Sequence, residues 1–238
     1  MGPTRVSIIG SAGRLGDGEK MSRELFHLMV RKAEFLITEV FKLTKSDVTL
    51  VSGGSAWADH VAVRLWLESV TNAANPDSFS GLRLYLPCAF DMTTNGPSPM
   101  FYGSVGATLN VLHTSFTNKM KGEFDSRTDI ICAHALGAEL DFRFPGFHNR
   151  NSQIGLSEYI IAFTWRDSTV CPQAGGTRHT WDNSATVNKI HVPLSSLPNM
   201  NSVISTYSGT KRPSVNMEER GEGLRRKEVL IEDDSYNT

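Results

Sequence analysis

Three stretches of this chain place glycines and small hydroxyl residues where an anion could be held: GSAGR at Gly10 to Arg14, SGGSAWADH at Ser52 to His60, and AGGTRHTWD at Ala174 to Asp182. Each follows an apolar run and precedes a helical pattern. A strand that stops in glycine and hands over to a helix leaves backbone N–H groups at the positive end of the helix dipole, where a phosphate binds well. In the first stretch, Gly10 and Ser11 let a phosphate approach the main chain and Arg14 offers a bidentate clamp. In the second, Gly53, Gly54 and Ser55 follow the strand directly. Asp59 falls in the first turn of the next helix, placed to cap free N–H groups or to hold a ribose hydroxyl. In the third, Gly175, Gly176 and Thr177 face a ligand, and Asp182 lies one or two turns further on, within reach of a sugar. A fourth stretch, FHNRNSQIGLSEYIIAF, sets Arg150 and Asn151 at the start of a short helix leading into a buried strand.

Phosphate binding beside a carboxylate suggests a reaction. Cleavage of an N-glycosidic bond passes through an oxocarbenium-like sugar, which a carboxylate stabilises or serves by positioning water. Asp182 is the first candidate and Asp59 the second, with Arg150 fixing the phosphate or the charge on the leaving base. His148 and His179 flank the expected site, and histidine titrates near neutrality. Phe101, Tyr102, His113 and Phe116 are available to stack on a base or to fill a core. The three cysteines, Cys88, Cys132 and Cys171, have no zinc-ligand spacing, so no metal is expected, and no cofactor.

The elements that must position these residues read as α/β. Val6, Ile8 and Ile9 predict a buried first strand over Arg5 to Ile9. Met21, Leu25, Met29, Ala33, Leu36, Val40 and Leu43 recur at the spacing of one helix face, which predicts a long helix from Glu19 to Leu43. Strands follow at Val48 to Val51, Leu82 to Leu86, Tyr159 to Thr164 and Ile190 to Pro193. Helices are expected over Ala56 to Val70, Arg150 to Leu156 and from Gly176. This alternation predicts a Rossmann-like, doubly wound, mostly parallel sheet with helices on both faces. Between Cys88 and Phe144 two helical patterns, Ser104 to Met120 and Thr128 to Leu136, read as an insertion after the third strand, either a lid over the ligand, a packing subdomain or an oligomer contact. One domain is expected over residues 1–194, with a polar, charged tail over 195–238 that is mobile or an arm onto a neighbouring subunit.

Composition narrows the partners. With 24 Lys+Arg against 25 Asp+Glu the formal charge is −1, so no basic field favours nucleic acid. No apolar run approaches the roughly 20 residues that span a bilayer, and no leader pattern opens the chain. A cytoplasmic protein with a small-molecule partner and no membrane association is expected.

The order of the motifs, strand-GS, strand-SGG-x3-AD, RN-x2-IG-LS-strand and GGT-helix, resembles the SLOG superfamily of Rossmann-like nucleotide-binding domains over residues 5 to 193 apart from the insertion. That superfamily joins the DNA-processing DprA proteins to the Lonely Guy phosphoribohydrolases. The Lonely Guy enzymes carry a catalytic arginine in a motif similar to Phe147 to Asn151, and a PGG-x-GT-x2-E loop that binds phosphate and acts at the sugar. Counting from Gly175 the glutamate position falls on Asp182, with Ala174, Arg178 and His179 replacing the proline, glycine and threonine. Counting from Gly176-Thr177 as the GT pair, it falls on Thr180. The resemblance implies a small-molecule nucleotide as partner and a homo-oligomer. It leaves open a nucleoside 5′-monophosphate N-glycosidase, a non-catalytic sensor or sequestering protein for ADP-ribose-like or cyclic nucleotides, and a DprA-like single-strand DNA binder.

Overall fold

The computed structural model describes residues 2–14, 16–72, 77–92 and 99–200. The short apolar runs pair as β1 Thr4–Gly10, β2 Val48–Ser52, β3 Gly81–Tyr85, β4 Glu139–Asp141, β5 Tyr159–Thr164 and β6 Asn188–Pro193. All pairs are parallel, in the order β4-β3-β2-β1-β5-β6. Val6 lies opposite Leu50, and Ile8 opposite Ile161. This is the Rossmann-like, doubly wound α/β fold that the alternation predicts.

Strands β1 to β4 step outward in one direction, and β5 and β6 in the other. Right-handed crossovers therefore place their helices on opposite faces. On one face α2 (Arg23–Phe35), α3 (His60–Thr71), α4 (Gly103–Met120) and α5 (Ser126–Ala135) pack over Val6, Ile8, Leu50, Leu84 and Phe163. On the other, Ile154 of α6 (Phe147–Ile154) and Trp181 of α7 (Gly176–Asn183) cover Ile9, Val51, Ile160 and Ala162. Beyond β6, Leu194 and Leu197 return the chain to the main core. No helix among the described residues is long and apolar enough to cross a membrane.

The helices depart from the periodicity at identifiable residues. The run expected as one helix from Glu19 is broken: α1 covers Asp17–Lys20, Met21 is extended, and Ser22 opens α2 by accepting from the Leu25 N–H at 3.1 Å. A serine hydroxyl competes with the helical backbone and favours such a cap. Lys119 of α4 holds the break by donating to the carbonyls of Gly18 and Met21, at 2.6 and 2.7 Å. The next helix begins at His60 rather than Ala56 because the chain first turns through left-handed Gly54 and Trp57, φ +66° and +61°. Burial of the Trp57 ring, 4.9 Å edge-on from Phe116, outweighs that local strain.

The stretch after β3 returns to the sheet as β4, a strand too short and too polar, with Leu140 alone apolar, to read from alternation. Residues 93–98 lie outside the described residues. Phe101, His113 and Phe116 are buried in the core, so base-stacking from these three is corrected to packing, in which the helices brace the sheet; Tyr102 is exposed and donates to Asp91 at 3.2 Å. Of the tail expected over 195–238, residues 195–200 continue a 3-10 turn from Leu194 with Leu197 buried in the core, a correction to a mobile start, and 201–238 lie outside the described residues.

His113 shows the bracing directly. Its Nε2–H donates to the Gly54 carbonyl at 3.1 Å, and its Nδ1 accepts from the Ser126 hydroxyl at 2.8 Å. Burial, reinforced by His60, drives the imidazole down from 6.5 to about 3. The unfolded chain takes up this proton near its ordinary pKa while the folded protein resists it. Stability is therefore whole above the ordinary value and falls as pH drops through the window toward 3, by up to ~1.4 kcal/mol per pH unit. Urea denaturation between pH 7 and pH 4 should record this loss, with a shallower pH slope in His113→Gln; equal slopes would contradict the assignment.

Candidate functional site

The strand order reverses between β1 and β5, and in such sheets the crevice beyond the carboxyl ends at that point takes the ligand. A cleft of about 470 Å³ opens there. Its walls come from the turn after β1 (Gly10, Ser11, Ala12, Arg14, Asp17), the turn after β2 (Ser55, Asp59), α6 (Phe147, His148, Arg150, Asn151, Ile154) and the segment after β5 (Thr164, Gln173 to Thr177, Thr180).

Gly10 sets the rear wall. At φ +157° it brings β1 so close to β5 that a Cβ would stand 2.0 Å from the Phe163 carbonyl oxygen, while the Ser11 N–H donates to that same oxygen at 2.8 Å. Thr177 ties α7 to this corner by donating to the Gly10 carbonyl at 3.1 Å. Asn151 and Thr180 donate to the Gly176 carbonyl at 3.3 and 3.1 Å. Gly175 precedes α7 at φ +126°, and among the described residues no side chain caps the first turn. The free N–H groups at the positive end of α7 therefore lie at the cleft wall.

The floor is a buried ion pair. Arg150 Nη1 donates to Asp59 Oδ2 at 3.1 Å, with the two side chains 8% and 9% exposed. Gly53 makes room for it: a Cβ there would stand 1.1 Å from Arg150 Nη1. Asp59 Oδ2 also accepts from the Ser55 N–H at 3.3 Å. The Ser52 hydroxyl, 3.0 Å from the Ile8 carbonyl and 2.9 Å from that of Asp59, holds the turn against β1. The Phe147 ring carries two guanidinium groups, Arg14 at 4.8 Å and Arg150 at 5.5 Å from its centroid. Two buried polar atoms here, Arg150 Nε and Ser55 Oγ, have no hydrogen-bond partner among the described residues.

A polar chain fixes the segment after β5. Thr164 Oγ1 accepts from the Gln173 N–H at 3.0 Å and donates to His191 Nε2 at 2.8 Å, while His191 Nδ1–H donates to the Ser168 carbonyl at 2.6 Å. Burial lowers the His191 pKa, which favours the neutral ring, and the Ser168 carbonyl, able only to accept, sets this tautomer. Thr164 and His191 were missed by sequence reasoning; a hydroxyl at the carboxyl end of a central strand is the one signal that pointed to them.

Gly10, Ser11, Arg14, Ser55, Asp59, Arg150, Asn151, Gly175, Gly176 and Thr177, all singled out by sequence, meet in the cleft. Gly53 and Gly54 act from behind it, under Arg150 and against Leu86. Asp182 is placed elsewhere. It is half-exposed on α7, accepts from Arg178 Nε at 2.6 Å and does not line the cleft, whereas Asp59 does. His148 lines the mouth, its ring edge-on to His179 with centroids 5.0 Å apart.

An all-parallel sheet with its cleft at the reversal point defines a Rossmann-like α/β protein. No protein-family model matches the chain. The chain is 35% identical over 202 residues to the uncharacterized protein R261 of Acanthamoeba polyphaga mimivirus, an alignment covering 82% of this chain and 98% of the viral protein, and it belongs to the family of that protein.

Removing one member of a buried pair strands the other charge. Asp59→Ala should therefore cost about 3–5 kcal/mol in urea unfolding, with much of the loss recovered when Arg150 is also replaced by methionine. A cost under about 1 kcal/mol, as for an exposed pair, would contradict the buried arrangement.

Proposed function

We propose that this protein binds a nucleotide in the cleft between β1 and β5 and hydrolyses the N-glycosidic bond of a nucleoside 5′-monophosphate. The observation that carries this reading is the buried Arg150 Nε, without a partner among the described residues, in a cleft that also receives the start of α7, which none of those residues caps. A buried donor without an acceptor is costly, and a phosphate supplies acceptors in number. On this reading the phosphate rests on the N–H groups of Gly175, Gly176 and Thr177, with Arg150 and Arg14 completing its shell.

Asp59 then provides the carboxylate for the sugar. As the glycosidic bond lengthens, positive charge grows on the ring, and Asp59 stabilises it or orients the attacking water. The oxygen of the attacking water bonds to the anomeric carbon as the bond to the base breaks, and the proton that water gives up leaves with the base. The reading agrees with the resemblance to the SLOG superfamily, with one departure. The acidic position that counting assigns to Asp182 is served here by Asp59. A homo-oligomer in the cytoplasm belongs to the same reading.

One observation favours a second reading, a non-catalytic sensor or sequestering protein for ADP-ribose-like or cyclic nucleotides. Asp59 is already paired with Arg150, and among the described residues the remaining cleft carboxylate is Asp17, 3.5 Å from the Ser11 hydroxyl. The cleft balances Arg14 and Arg150 against Asp17 and Asp59, which gives no support to single-strand DNA.

Incubation with nucleoside monophosphates, NAD and ADP-ribose, followed by mass spectrometry of supernatant and denatured protein, separates the readings. A free base is expected from one monophosphate, with turnover reduced by about 100-fold or more in Arg150→Ala and Asp59→Asn. An intact nucleotide retained without turnover would replace hydrolysis by sensing, and no binding at all would overturn both.

A further inference from the structure

We infer that the sheet carries a second binding site, at the opposite end of its strands from the cleft, for a small oxyanion of the phosphate or carboxylate class. Helices α6 and α7 cover one sheet face over Ile9, Val51, Ile160 and Ala162. Toward the amino ends of β1, β2 and β3 the same face opens into a cavity of about 330 Å³, walled by Arg5, Thr49, Gly81, Arg83 and Glu139 among others. The register sets Arg5, Thr49 and Gly81 side by side, and Arg83 beside Glu139 further along. Neighbours in register point to one face, so these side chains share the cavity.

Arg5 points to an anion. Its Nη2 donates to the Tyr85 hydroxyl at 3.2 Å and to the Gln153 carbonyl at 3.1 Å, both neutral acceptors, and among the described residues no carboxylate pairs with the guanidinium. Glu158 takes only the main-chain N–H of Arg5, at 2.9 Å. The Arg5 Nε is buried and has no partner among the described residues. Neutral acceptors fix a guanidinium in place without cancelling its charge, and a half-buried charge without a counter-ion is costly. The second guanidinium, of Arg83, donates to the same Tyr85 oxygen at 3.4 Å, so two like charges converge on one buried phenol. Arg83 is answered by Glu139, which accepts from its Nε at 2.8 Å. Two guanidinium groups against one carboxylate leave the cavity wall with one positive charge in excess. The edges of a guanidinium match the paired oxygens of a carboxylate or phosphate, and the Thr49 hydroxyl adds a neutral donor beside them. Gly81 leaves the floor bare. A Cβ there would stand 3.6 Å from Thr49 Oγ1, an ordinary contact, so the strand accepts a side chain at the expense of the cavity.

Titration of the full chain with inorganic phosphate and with succinate at constant ionic strength, followed residue by residue through backbone amide shifts, reads this site apart from the cleft. Saturable shifts are expected at Thr49, Gly81 and Arg83 with at least one of the two anions, and the anion that saturates tells a phosphate ligand from a carboxylate. Phosphate seated in the cleft moves Gly175, Gly176 and Thr177 instead. Arg5→Met should weaken binding at Thr49 and Gly81 by about 10- to 100-fold, the share of hydrogen bonds to a charged group. Gly81→Val keeps both guanidinium groups, suits a strand and fills the floor, and should abolish the response. Both variants should leave any response at Gly175 unchanged. No saturable shift at Thr49, Gly81 and Arg83 with either anion, or an affinity unaltered in either variant, would overturn the site, whatever the cleft binds.

Discussion

The pairing of Arg150 with Asp59 across the bare backbone of Gly53 is the contact on which the site depends. It joins two segments 91 residues apart in sequence and seats both charges where little water reaches them. Such a pair gains little stability over apolar residues of the same volume, so its presence at the floor of a cleft is better explained by use than by stability. Its geometry leaves Arg150 Nε without a hydrogen-bond partner among the described residues, and that donor gives the cleft its chemical direction.

Everything around the pair holds it from outside. The strand order brings the turns after β1 and β2, α6 and the segment after β5 to one edge. Gly10 and Ser11 then lock β1 to β5 at the Phe163 carbonyl. Behind the cleft, left-handed Gly54 and Trp57 aim the turn that carries Ser55 and Asp59, and His113 fixes its shape from α4. Helices α4 and α5 support the site from behind, through the His113 hydrogen bond, through Lys119 at Gly18 and Met21, and through packing on Trp57. Polar groups on the two sides are positioned by independent means, an imidazole on one and the chain through Thr164 and His191 on the other.

Much of this architecture was legible in the residues. Tyr159 to Thr164 and the helix start at Gly176 were read to the residue, because a continuous β-branched and aromatic run and a glycine pair are strong local signals. Ser22 and Trp57 moved helix starts by competition between periodicity and local backbone chemistry. Strand β4 was hidden because pairing with β3 forms it, and three residues with one apolar side chain carry no alternation. At the site, glycine turns and arginines were readable because few other roles need them together. The orientation of Asp182 was not, since spacing along a helix places a residue without revealing that Arg178, one turn earlier, claims its carboxylate.

The most direct measurement is a crystal structure of the full chain grown with each ribonucleoside 5′-monophosphate. The proposed function predicts a phosphate on the N–H groups of Gly175, Gly176 and Thr177 within reach of Arg150, and the sugar against Asp59. A nucleotide bound away from the cleft between β1 and β5, or seated with its phosphate against Asp59, would contradict it.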